Sequence, residues 1–154
     1  MSRFLVLVVF ILVVLGGGFL IGTFFPADAW YEGLQKPVFT PPDWVFMYVW
    51  PVLYVLIAIA GWSVFTKALT GSAWTLWLVN LLLNFAYTPL FFGAHMLLVS
   101  MVVVGLTLLT AIAFISSTWH RDRLAALCFV PYALWLGYAF TLALTIWWLN
   151  GAAA

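Results

Sequence analysis

Residues 4–25 read FLVLVVFILVVLGGGFLIGTFF, 22 positions without a charge. About 20 apolar residues in a helix rising 1.5 Å per residue cross a hydrocarbon core about 30 Å thick. The stretch is long enough to span a bilayer, and four more like it follow. The charges of the 154-residue chain are Arg3, Asp28, Glu32, Lys36, Asp43, Lys67, Arg121, Asp122 and Arg123. They leave uncharged spans at 4–25, 44–66, 73–92, 96–119 and 124–149. Membrane strands would need about 10 residues of alternating polarity, and no such alternation is seen. The reading is an all-α membrane protein: a bundle of five transmembrane helices in a single domain, 1–154.

Composition agrees. Charged residues are 6% of the chain, against roughly 25% in a soluble domain, so a water-compatible surface cannot be built. Mean hydropathy is +1.21. A net charge of +1 gives no footprint for nucleic acid. The single cysteine, Cys128, can form no intramolecular disulfide. Ala27-Asp28-Ala29 resembles a signal-peptidase site, but 22 uncharged residues exceed the usual apolar region of about 7–15 in a signal peptide. The first span is therefore read as a retained helix.

The connections are short apart from the first, 26–43, which holds Pro26, Pro37, Pro41 and Pro42 and three of the four acidic residues. Proline makes it stiff and extended, with one short helix expected around residues 28–34. Arg3, Lys67, Arg121 and Arg123 fall on one side of the membrane and Lys36 on the other. The positive-inside rule then places the N-terminus in the cytoplasm and the long first loop outside. No internal repeat is visible and the span count is odd, which argues against an inverted-repeat transporter.

No ionisable side chain lies within a span, which disfavours an ion-coupled pump. There is no paired-carboxylate site, no Cys/His metal cluster and no serine with a base, so hydrolytic chemistry lacks equipment. His95 and His120, at span ends, are candidate haem ligands, though interfacial histidines are common. The aromatic content stands out: 10 Trp, 6 Tyr and 14 Phe. Trp30, Trp44, Trp74, Trp119, Trp147 and Trp148 suit an interfacial belt. Trp50, Tyr54, Trp62, Tyr87 and Trp135 lie deeper.

Helical spacing groups several of them. Trp77, Asn80, Asn84, Tyr87 and Thr88 share one face of the third span, and Trp135, Tyr138, Thr141 and Thr145 one face of the fifth. Trp50 and Tyr54 are i,i+4 neighbours in the second. Amides in hydrocarbon must find partners, so these stripes should face inward, either as interhelical glue or as a shared pocket. Aromatic walls with a few neutral hydrogen-bonding groups suit a flat, largely apolar ligand. Gly18–Gly22 forms a GxxxG and Ala133–Gly137 a small-xxx-small, both permitting close helix approach. Pro51, Pro89 and Pro131 are expected to kink their spans.

The motifs resemble a known family. Trp30-Tyr31-x-x-Leu34-x-Lys36-Pro37-x-x-x-Pro41-Pro42-x-Trp44, with Trp50 and Leu53-Tyr54, resembles the first loop and second helix of the translocator protein / tryptophan-rich sensory protein family. Asn84-x-x-Tyr87-x-x-x-Phe91-Phe92-Gly93-Ala94 resembles its third helix end, and Pro131-Tyr132-x-x-Trp135-x-x-Tyr138-Ala139 its fifth helix. The resemblance runs in order along almost the whole chain. It implies a five-helix bundle, often homodimeric, in a bacterial cell envelope, with a ligand pocket closed by the 26–43 loop. It implies binding of porphyrins such as protoporphyrin IX and haem as ligands, with no obligatory cofactor and no metal site. By motif position Trp30, Tyr31, Trp50, Tyr54, Asn84, Tyr87, Trp135, Tyr138 and Ala139 map to the pocket or beside it. The chain departs from the family pattern where Phe39 and Tyr87 replace tryptophans and Ala143 replaces an asparagine. Residues 143–148 lack the tyrosine and basic residue of the animal sterol motif, which puts cholesterol recognition by that route in doubt.

Three readings follow. The first is a receptor or carrier for porphyrins with a sensory or tetrapyrrole-homeostasis role, in which Asn84 hydrogen-bonds the ligand and Lys36 pairs with a propionate. The second is a light-dependent porphyrin-degrading enzyme, with Trp50 and Trp135 supporting radicals. The third is a structural or partner-binding membrane subunit with no small ligand.

Overall fold

The structure, a computed structural model, describes residues 2–69 and 71–151. Six α-helices follow in order: α1 Arg3–Phe24, α2 Ala29–Gly33, α3 Asp43–Thr66, α4 Ser72–Thr88, α5 Leu97–Thr118 and α6 Arg123–Asn150. A π-helical turn, Pro89–Gly93, prolongs α4. The described residues hold no strand. Five helices, counting Ser72–Gly93 as one run, are long and apolar enough to cross a membrane. The all-α, five-span fold expected from the uncharged runs is the fold of the chain.

Local chemistry sets the helix ends. Ser2 Oγ accepts from the Leu5 N–H and caps α1. Asp28 does the same for α2 through the Tyr31 N–H, at 3.1 Å, and the short helix expected in the lid is this one. Gly71, at φ +88°, takes the left-handed conformation that precedes α4 and that glycine adopts without a Cβ penalty. Pro89 has no N–H to give, and the helix widens there until the Ala94 N–H reaches the Pro89 carbonyl at 2.9 Å. Pro51 and Pro131 sit inside α3 and α6 without ending them.

Around the bundle, α1 packs on α3, α3 on α6, α6 on α5, α5 on α4, and α4 returns to α1. Polar side chains tie this ring. Trp77 Nε1 donates to the Ile57 carbonyl at 2.9 Å, joining α4 to α3. Asn80 Nδ2 donates to the Thr107 carbonyl and Thr110 Oγ1, joining α4 to α5. Asn84 Nδ2 donates to the Tyr132 hydroxyl at 2.9 Å, joining α4 to α6. The expectation that these amides face inward is met, because in hydrocarbon an unpaired amide costs several kilocalories per mole. Gly18 belongs to the same packing: a Cβ there would lie 2.3 Å from the Tyr54 ring, so only glycine lets α1 approach α3. A Cβ at Gly22 or Gly137 would meet no atom of another helix within 4 Å.

At the end of the bundle away from the lid, Asp122 is buried in the turn between α5 and α6. It accepts from Ser63 Oγ at 2.6 Å, from Lys67 Nζ at 2.7 Å and from the Ala125 N–H at 3.3 Å. Its side chain is fully enclosed, while that of Lys67 stays half-exposed.

Candidate functional site

A cavity of about 630 Å³ opens between the helices at the lid end of the bundle. Every spanning helix contributes to its wall. Trp50, Pro51 and Tyr54 come from α3, Asn84 and Tyr87 from α4, and Trp135, Leu136 and Ala139 from α6. Gly18 and Phe19 of α1, and Val104 and Thr107 of α5, complete it. Tyr31 of α2 and Phe91 and Phe92 of the π-turn also line it. The aromatic stripes on α3, α4 and α6 thus converge, although their residues are 30 or more positions apart in sequence.

The rings brace one another. Trp50 lies 5.4 Å from Tyr54, Trp135 packs edge-on against Phe46 at 5.7 Å, and Tyr87 stacks on Phe91 at 5.6 Å. Polar groups on the wall are few and mostly neutral. Two of the fully buried ones have no partner in the protein: Asn84 Oδ1, an acceptor, and Trp135 Nε1, a donor. Buried polar atoms are nearly always hydrogen-bonded, so each of these two gains from any partner that can reach it.

Of the ten residues expected at the site, seven line this cavity: Tyr31, Trp50, Tyr54, Asn84, Tyr87, Trp135 and Ala139. Trp30, Lys36 and Tyr138 are off the wall, and the reason is the lid. Trp30 stacks on the His95 imidazole at 4.0 Å and meets Phe91 edge-on. His95 in turn sets Nε2 3.2 Å from Asp28 Oδ2, so this histidine serves the lid rather than the cavity. Lys36 places Nζ 4.2 Å from the Tyr31 ring centroid and 3.4 Å from the Glu32 carbonyl. The Tyr138 hydroxyl donates to the Phe39 carbonyl at 2.7 Å. Thr141 and Thr145, expected on the same stripe, bond instead to carbonyls of their own helix.

Asn150 was not visible as a site residue from sequence. It clasps the lid with two bonds: the Gln35 N–H donates to Oδ1 and Nδ2 donates to the Gln35 carbonyl, both at 2.9 Å. His95, Asn150 and Tyr138 thus hold the lid at three successive points. Replacing Asn150 by alanine removes two neutral hydrogen bonds, worth about 0.5–1.5 kcal/mol each. Amide exchange at residues 34–36 is expected to quicken about tenfold, with the melting temperature of the bundle almost unchanged. Mass-spectrometric hydrogen exchange reads this directly, and unchanged exchange at Gln35 would remove Asn150 from the lid.

A five-helix bundle with an aromatic cavity at the end covered by a proline-rich lid is the architecture of an integral, multi-pass membrane protein with room for a small molecule. The chain belongs to the TspO/MBR family, whose model matches residues 9–149. It is 37% identical over 133 residues to protein CrtK of Rhodobacter capsulatus, covering 84% of this chain and 83% of that one. It is 33% identical over 114 residues to the tryptophan-rich sensory protein of Cereibacter sphaeroides, covering 74% and 72%. The human translocator protein is 35% identical over 125 residues, covering 77% and 73%. With relatives of this kind and five spanning helices, the chain is placed in a bacterial membrane.

Proposed function

We propose that the cavity binds porphyrins such as protoporphyrin IX and haem, and related flat apolar molecules, and that the protein acts as a receptor or carrier in tetrapyrrole sensing or homeostasis. The observation that carries this reading is the convergence of Trp50, Tyr54, Tyr87 and Trp135 on one 630 Å³ space beside the orphaned Asn84 Oδ1. That volume falls within the range of about 300–1,000 Å³ typical of small-molecule sites. Large π-faces bind a conjugated plate by offset stacking and edge contacts, and a single acceptor suits a donor on an edge substituent. Neither His95 nor His120 lines the wall, so a haem here is held by its ring rather than through its iron. Assembly as a homodimer belongs to the same reading. Titrating the purified protein with protoporphyrin IX tests it. Tryptophan fluorescence should fall saturably at one ligand per chain, whereas quenching no greater than that of free tryptophan in the same detergent counts against binding.

Trp50 and Trp135 on one wall also support the enzymatic alternative, in which a bound porphyrin is its own photosensitiser and the indoles exchange electrons with it. Illumination separates the two. An enzyme loses the porphyrin band only in the light, and Trp50→Phe stops the loss; a receptor preserves the band.

A further inference from the structure

Among the described residues that line the cavity, one carries a formal charge: Asp43. It stands in the first turn of α3. An acidic residue in a first turn is favoured by the helix dipole, which suits Asp43 to its place at the start of α3. Its field reaches the wall, because burial and, after it, the Asp43 charge raise the Tyr31 phenol above its ordinary value. No cation lines the cavity itself; Lys36 lies behind its lining, against the Tyr31 ring and the Glu32 carbonyl. The segment 26–43 as a whole holds Asp28, Glu32 and Asp43 against Lys36, a net charge of −2. Deeper in, the polar groups include Asn84, Thr88, Thr107, tyrosine hydroxyls and the Trp135 indole N–H, all neutral.

We propose that Asp43 makes the cavity discriminate by charge, taking neutral or cationic flat apolar molecules in preference to the same scaffold bearing carboxylates. This rests on the flat-ligand reading above and gives that ligand class a charge. A tetrapyrrole dicarboxylate binds through its ring, against the repulsion of its acid groups at the mouth. A carboxylate 5–10 Å from an anionic group in a half-wet mouth, partly screened by salt, changes affinity by about three- to tenfold.

The test compares protoporphyrin IX with its uncharged dimethyl ester by tryptophan quenching in zwitterionic nanodiscs at low salt. In Asp43→Asn the free acid should bind about three- to tenfold more tightly and the ester as before, with the difference shrinking at high salt. Asp43→Glu, which keeps the charge, should match the parent and controls for disturbance of the helix start. Equal responses of acid and ester to Asp43→Asn overturn the proposal while leaving the porphyrin reading intact. If neither porphyrin quenches saturably, the porphyrin reading fails, and rhodamine B and its ethyl ester then decide the charge question. An ester preference that Asp43→Asn removes supports the proposal. No preference, or no binding of either dye, overturns it.

Discussion

The double substitution Trp50→Ala, Trp135→Ala is expected to weaken protoporphyrin IX binding by about a hundredfold or more. Each indole lines the cavity from a different helix, so a flat ligand loses a separate contact with each. Ring pairs of this kind are worth on the order of 1 kcal/mol beyond the apolar area they bury. With that area included, each indole reaches the 1.4 kcal/mol that makes a tenfold change. Because both rings touch the same ligand, a double-mutant cycle with the two single variants reads how far their losses add. Trp148→Ala, by contrast, should leave binding unchanged, because that ring is 73% exposed on the outside of α6. Titration of these variants side by side checks this. A double variant within threefold of the parent would show that the rings are packing residues only.

Asp122→Ala is expected to be the most damaging single change to stability outside the cavity, by about 2–4 kcal/mol. It removes the cap of α6 and leaves the Ser63 hydroxyl unpaired inside the bundle, whereas the half-exposed Lys67 turns to water. Burial by itself would raise the Asp122 carboxyl. Hydrogen bonds from Lys67, Ser63 and the Ala125 amide, with the Lys67 charge, outweigh it and hold the group below its ordinary value of 3.8. A carboxyl depressed in the folded state stabilises above its unfolded value and loses that stabilisation as pH falls through the folded one. The parent should therefore lose stability below about pH 4, while Asp122→Ala shows a flatter acid limb. Thermal unfolding followed by circular dichroism in detergent at pH 3–7 measures both, and parallel pH profiles would contradict the assignment.

The five spans were legible because charge is expensive in hydrocarbon, so Arg3, Lys67 and Asp122 punctuate the sequence where the helices end. Trp50, Tyr54, Asn84, Tyr87 and Trp135 were legible because neutral polar groups and large rings at helical spacing leave few faces on which to sit. The lid was not legible in that way. Its prolines impose an irregular path with no period, so nothing in the spacing places Trp30 on His95 or brings Phe39 to the Tyr138 hydroxyl. Tyr138 lies one turn from Trp135 on the same stripe, yet the lid captures it first. The burial of Asp122 was not legible either, since it depends on Ser63 and Lys67, more than 50 residues away. The contribution of α1 was equally hidden, because that helix is apolar all round and sequence alone does not say which side faces the cavity.

The position of the bound ring tests the central claim most directly. Crystals of the protein grown from a lipid phase with zinc protoporphyrin IX, measured at the zinc absorption edge, locate the metal without reference to any assumed pose. A single anomalous peak inside the cavity, between Trp50 and Trp135 and under Tyr31, is the predicted result. A peak on the outer surface of the bundle or in the lipid around α1, with the cavity free of zinc, would contradict it.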